Sequence, residues 1–197
     1  DSTLVIFTPA IPESHKELSY FRNHNFRLMK RSELLGEIMK STRGIAVAGT
    51  HGKTTVSCMI AQILNESNLK CNAFLGGISK NLDSNLLIDK NAEYTVAEAD
   101  EFDRSFLKLY PEIAVVTSLD PDHLDIYGNY DNLKADFNHF VSQVEKGGKL
   151  ICKEGVKLEV PGGIKVISYS LESGNADYRA ENIKRTGFHY QFDLVTP

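Results

Sequence analysis

Apolar residues along this chain come in short runs, and several of the polar stretches between them carry a helical period of their own. "TLVIFTPAIP", from Thr3 to Pro12, is an apolar, β-rich run closed by two prolines, which predicts a buried strand stopped by a turn. A helix is expected from about His15 to His24, where Leu18 and Phe21 share a side, and "FRLM" then reads as a short strand. "RSELLGEIM" predicts a second helix with Ser32 as its N-cap. Residues 1–42 therefore have the βαβα character of the end of a parallel α/β domain, and are too short to form one alone.

The pattern restarts at "RGIAVAG" with a short buried strand. In the helix expected after it, Val56, Met59, Ile60, Ile63 and Leu64 recur at i, i+3, i+4, i+7 and i+8, the spacing of a single apolar face. "YTVAEA" (94–99), "IAVVTSL" (113–119), "KLIC" (149–152) and "KVISYS" (165–170) are further strand-like runs separated by polar or helical stretches, as in a mostly parallel sheet. Between the second and third, Leu133, Phe137, Phe140, Val141 and Val144 mark one face of a helix, closed by Gly147 and Gly148. The tail "DYRAENIKRTGFHYQFDLV" alternates about Thr186 and Gly187, which predicts an antiparallel hairpin at a sheet edge. The fold class expected is α/β: a P-loop-type, mostly parallel sheet flanked by helices, an antiparallel edge hairpin, and a βαβα remnant of a preceding Rossmann-like domain.

Composition narrows the classes of function. The 197 residues carry 42% apolar side chains and a formal charge of -4, with acids and bases interspersed, so no basic stripe is present to track a nucleic-acid backbone. Cys58, Cys71 and Cys152 lie far apart without a CxxC pair, which reads as reduced, buried thiols of a cytosolic protein. No run of 18 apolar residues exists to span a membrane.

The chemistry begins at "VAGTHGKTT" (47–55). Gly52, Lys53 and Thr54 supply the end of the phosphate-loop pattern G-x-x-x-x-G-K-[ST], but Val47 stands where its first glycine belongs. The demands on such a loop are local: backbone N–H groups converging on an anion at a helix N-terminus, with a lysine and a hydroxyl beside them. Gly49 and Gly52 permit the close approach, Lys53 would neutralise the β and γ phosphates, Thr54 would offer its hydroxyl to Mg²⁺, and Thr55 would bond a neighbouring phosphate. Thr50 and His51 complete the candidate nucleotide-binding loop, His51 being equally readable as an exposed spacer.

Two acidic clusters follow apolar runs. In "YTVAEADEFDRSF", Glu98 and Asp100 would share one strand face, and Glu98, at the carboxyl end of its strand, is the candidate metal ligand, whereas Asp103 reads as a helix cap. In "VVTSLDPDHLDIYG", His123 sits among Asp120, Asp122 and Asp125 just past a strand end. From its chemistry alone His123 suggests a substrate or acid–base role, since Mg²⁺ prefers oxygen.

Taken together, "GTHGKTT" (49–55), "AEADEFDRSFL" (97–107) and "DHLDIYGNYDNLKADF" (122–137), in this order and spacing, closely resemble the Mur ligases. The loop of that family reads GTxGKT, so the resemblance accounts for the absent first glycine. It implies a cytoplasmic, ATP-dependent, amide-forming ligase of peptidoglycan synthesis, with L-alanine and UDP-N-acetylmuramate as its small-molecule partners. By motif match it implies that Lys53, Glu98 and His123 form the catalytic set and that Thr54, Glu98 and His123 hold magnesium. It also divides the chain into the end of an N-terminal UDP-sugar-binding domain (1–42) and a central ATP-binding domain (43–197). The C-terminal ligase domain of that family has no counterpart in these residues, so the chain is expected to hold nucleotide without ligating. Two alternatives stand beside this reading: attachment of a recycled tripeptide to the same sugar nucleotide, and a nucleotide-binding P-loop protein that forms no amide.

Overall fold

The computed structural model describes residues 3–102, 104–121, 124–171 and 174–197, the side chains of residues 124 and 125 apart. At its start, β1 (Leu4–Phe7) and β2 (Arg27–Lys30) pair in parallel as a sheet of two strands, connected through α1 (Lys16–Asn23). The first strand is half-exposed rather than buried, because a two-stranded sheet leaves its faces largely uncovered. Helix α2 (Arg31–Met39) starts earlier than expected. Lys30 is its N-cap, and its N–H donates to the Glu33 carboxylate at 3.0 Å, so Ser32 lies inside the first turn.

The second sheet has nine strands in the order β11-β10-β9-β8-β7-β3-β6-β4-β5. Its centre is β3 (Arg43–Ala48), parallel to β6 (Tyr94–Glu98) on one side and to β7 (Ile113–Val116) on the other. Beyond β6 lie β4 (Cys71–Ser79) and antiparallel β5 (Ser84–Leu87); beyond β7 come β8 (Lys149–Lys153) and β9 (Lys165–Ser170), both parallel. The tail forms the expected edge hairpin, β10 (Tyr178–Thr186) with β11 (His189–Val195). The apolar runs do not predict the β4–β5 hairpin, since Gly76 and Gly77 interrupt the alternation in β4 and β5 is short and polar at its start.

Helices cover both faces of this sheet. On one face α5 (Tyr130–Ser142), which follows the single turn α4 (Leu124–Tyr127), buries Leu133, Phe137, Phe140 and Val141, as its period predicts. Phe106, from a 3-10 turn (Ser105–Lys108), packs between the two phenylalanine rings. Each such side chain contributes about 1.5–3 kcal/mol by leaving water. The helix stops at Ser142, ahead of the glycines, and Gly147 then takes a left-handed turn into β8.

On the other face lies α3 (Lys53–Glu66), rotated from the expected orientation. Its innermost residues are the small Ser57 and Ala61, flanked by Cys58, Ile60 and Leu64, while Met59 and Ile63 are 60% and 67% exposed. Small residues at the contact let the helix axis sit close to the strands, and that close seating decides which arc is buried. No helix among the described residues is long and apolar enough to cross a membrane.

Candidate nucleotide site

The site lies beyond the carboxyl ends of β6, β3 and β7, where the connection leaving β3 runs to β4 on one side and the one leaving β6 crosses β3 to reach β7 on the other. Val47 is still within the sheet there. Its register partners are Glu98 on β6 and Val115 on β7, its carbonyl accepts from the Ala99 N–H at 2.9 Å, and its side chain is wholly buried. The strand therefore continues through the position of the missing glycine, and the chain turns two residues later at Gly49, with φ 134°. Glycine is required at that turn: a Cβ would stand 2.1 Å from Thr117 Oγ1 and 2.9 Å from the Ser118 nitrogen.

The loop is braced from the end of β7. Thr117 Oγ1 donates to the carbonyls of Ala48 and His51, the Thr50 N–H donates to the Ser118 carbonyl, and the His51 N–H donates to Ser118 Oγ. The Thr50 hydroxyl lies 2.9 Å from Ser118 Oγ and accepts from the Asp120 N–H, so this side chain is tied into the brace and nearly buried. His51 is exposed at the loop crest. Gly52, with φ 83°, then forms the N-cap of α3. The helical ladder opens with Val56 N–H to the Gly52 carbonyl, so the preceding N–H groups of Lys53, Thr54 and Thr55 face out of the helix end.

Lys53 folds back over the loop, donating to the Gly49 carbonyl and to Glu101 Oε1, each at 2.8 Å. Glu101 is wholly buried, and the loop around it is fixed by Tyr127, whose hydroxyl donates to the Glu101 carbonyl. Burial drives the Tyr127 hydroxyl well above its ordinary range. Arg104 pairs with Asp136 at 2.7 Å and lies across the Tyr127 ring, pinning the same loop to α5. Sequence reasoning gives Glu101 no role within the acidic stretch. Glu101 turns back into the protein after the exposed Asp100, and no pattern in the sequence marks that turn.

Glu98 is held at both oxygens. Oε1 accepts from the Thr54 hydroxyl at 2.9 Å and Oε2 from the Gly76 N–H at 2.8 Å. Thr54 and Glu98 thus form an all-oxygen pair at a helix N-terminus, a donor set suited to a hard cation such as Mg²⁺. Asp100 does not join them: it is exposed and its carboxylate accepts from the Phe102 N–H. Thr55 is exposed in the first turn of α3. His123 lies outside the described residues, as do Asp103 and Asp122 and the Asp125 side chain. Beside Glu98 opens a cleft of about 370 Å³ that runs between Gly76 and Asp100 to Arg31 and Ser32 at the start of α2.

Residues 47–197 match the family model of the Mur ligase middle domain. The UDP-N-acetylmuramate--L-alanine ligase of Parabacteroides distasonis is 52% identical over 199 residues, a match that takes in the whole of this chain and 43% of the relative. That of Porphyromonas gingivalis is 48% identical over 92% of this chain and 40% of its own length. The chain therefore spans less than half the length of the relatives it matches. Among solved structures, the UDP-N-acetylmuramate-alanine ligase of Thermotoga maritima superposes with a TM-score of 0.79 at 22% identity, over 98% of this chain and 44% of that one. The UDP-N-acetylmuramate:L-alanyl-gamma-D-glutamyl-meso-diaminopimelate ligase of Neisseria meningitides gives 0.81 at 20% identity, over 98% and 64%.

Proposed function

Because the chain belongs to the Mur ligase family and carries its middle domain, we propose that it is the ATP-binding part of a ligase joining L-alanine to UDP-N-acetylmuramate, in the cytoplasmic stage of peptidoglycan synthesis. Residues 1–42 are then the end of the preceding UDP-sugar-binding domain, and residues 43–197 belong to the central domain. The observation that carries the reading is the convergence of Lys53, Thr54 and Glu98 at one helix N-terminus. The choice of alanine over a peptide acceptor is supported by relatives 45–52% identical that are alanine ligases.

The chemistry gives each group a purpose. A carboxylate is a poor electrophile and is repelled by a nucleotide triphosphate, so both anions must be neutralised and aligned. The first-turn N–H groups of α3 and the Lys53 ammonium hold the β and γ phosphates. A carboxylate oxygen of the lactyl group then attacks the γ-phosphorus and ADP departs, leaving an acyl phosphate. The alanine amine attacks its carbonyl carbon, phosphate departs, and the amine loses a proton to complete the amide. Thr54 and Glu98, with His123 by motif, would hold Mg²⁺, which supplies charge neutralisation on the phosphate oxygens.

The test is ADP release by the intact enzyme carrying this sequence, with UDP-N-acetylmuramate and ATP, and with alanine or tripeptide as acceptor. Alanine-dependent release that Lys53→Ala abolishes is the expected result. Preference for the tripeptide, or unchanged ligation by Lys53→Ala, would overturn the reading.

A further inference from the structure

We propose that Gly76 is a positioning residue that sets the Glu98 carboxylate against Thr54. The proposal rests on Glu98 acting at the metal, as argued above, and concerns what holds that side chain in place.

Glycine at this position answers no demand of the backbone. Gly76 does not have a positive φ, lies in β4, and is exposed, so neither conformation nor core packing excludes a side chain. What excludes one is the Glu98 carboxylate: a Cβ would fall 2.4 Å from Oε2 and 2.5 Å from both Cδ and Oε1. The Gly76 N–H meanwhile donates to Oε2 at 2.8 Å. The main chain of β4 thus approaches the carboxylate as donor and leaves open the space it occupies. With one oxygen fixed by β4, the other is presented to the Thr54 hydroxyl at 2.9 Å. Gly77 differs, because a Cβ there would meet only Thr54 Cγ2, at an ordinary 3.4 Å.

A methyl group at position 76 strikes the far end of a flexible side chain, so the strand can keep its place while the carboxylate swings away from Thr54. Shortening that side chain should remove the conflict. The experiment is a cycle of Gly76→Ala, Glu98→Asp and the double variant in the intact enzyme. Mn²⁺ binding in the presence of ATP is read by electron paramagnetic resonance, and the melting temperature alongside it. Gly76→Ala is expected to weaken Mn²⁺ binding about tenfold when Glu98 is retained and less than about twofold when it is introduced into the Glu98→Asp variant, a coupling of contacting residues that a general structural effect would not produce. Gly77→Ala should leave Mn²⁺ binding unchanged. Undiminished binding in Gly76→Ala, or an equal loss in both backgrounds, would overturn the proposal. Glu98→Gln separates the two readings: if it binds Mn²⁺ as the wild type does, the metal role of Glu98 falls and this proposal with it. If it loses binding while Gly76→Ala does not, only the proposal falls.

Discussion

Lys53 Nζ stands 2.8 Å from Glu101 Oε1, and the carboxylate it meets is wholly buried. The lysine that should grip phosphate is therefore also the counter-ion of an internal acid. Removing one partner of such a pair leaves a charge that water cannot reach. Lys53→Ala should lower unfolding free energy by about 3 kcal/mol, and adding Glu101→Gln should restore most of it. Urea denaturation of the single and double variants checks this. Equal stability of Lys53→Ala and the wild type would refute the pairing.

Val47 gives the second prediction. Returning the strict loop pattern by Val47→Gly removes a wholly buried side chain from the central strand and adds backbone freedom. The expected loss is about 3 kcal/mol of stability with no gain in nucleotide affinity. Chemical denaturation and a fluorescent ATP analogue would read the two effects separately.

The loop glycines should respond unequally to alanine. At Gly52 the nearest neighbour of a new Cβ is 4.0 Å away, so Gly52→Ala meets only the left-handed backbone cost, about 1–2 kcal/mol. At Gly49 the Cβ also collides with Thr117 and the main chain at the end of β7, and the loss should exceed about 3 kcal/mol. Similar melting temperatures for the two variants would contradict this ranking.

A fourth prediction concerns acid. At the other end of β3, the Arg43 guanidinium donates to both oxygens of Glu112, at 2.8 and 2.6 Å, and holds that carboxyl below its ordinary value of 4.5. A carboxyl depressed in the folded state contributes stability that is present above its unfolded value and lost as pH falls through the folded one. The melting temperature should therefore decline below about pH 4.5, and Glu112→Gln should flatten that decline. Parallel slopes for the two proteins would exclude the contribution.

The centre of the sheet is readable from its apolar runs because strands buried on both faces, such as residues 94–97, cannot be strongly polar, whereas β4 and β5 at its edge are not readable in that way. Period alone places Leu133, Phe137 and Phe140 correctly, since large side chains on α5 fill a broad gap. The same argument misjudges α3: Met59 and Ile63 carry the right spacing, but the close seating of Ser57 and Ala61 turns them outward. Packing distance is not written in a periodicity. In the site, the loop and Glu98 announce themselves by position at strand ends. Glu101 and Gly76 do not, because each acts through a partner on another element, 48 and 22 residues away.

The central placement of β3 also fixes an order of events during synthesis. The loop is made well before the segment that braces it, for Thr50 and Ser118 are separated by 68 residues. At ribosomal rates the interval is roughly 3–14 s. Throughout that time the "GTHGKTT" segment has no β7 beside it. A nascent chain thus carries the whole of that segment for seconds before the residues that brace it exist.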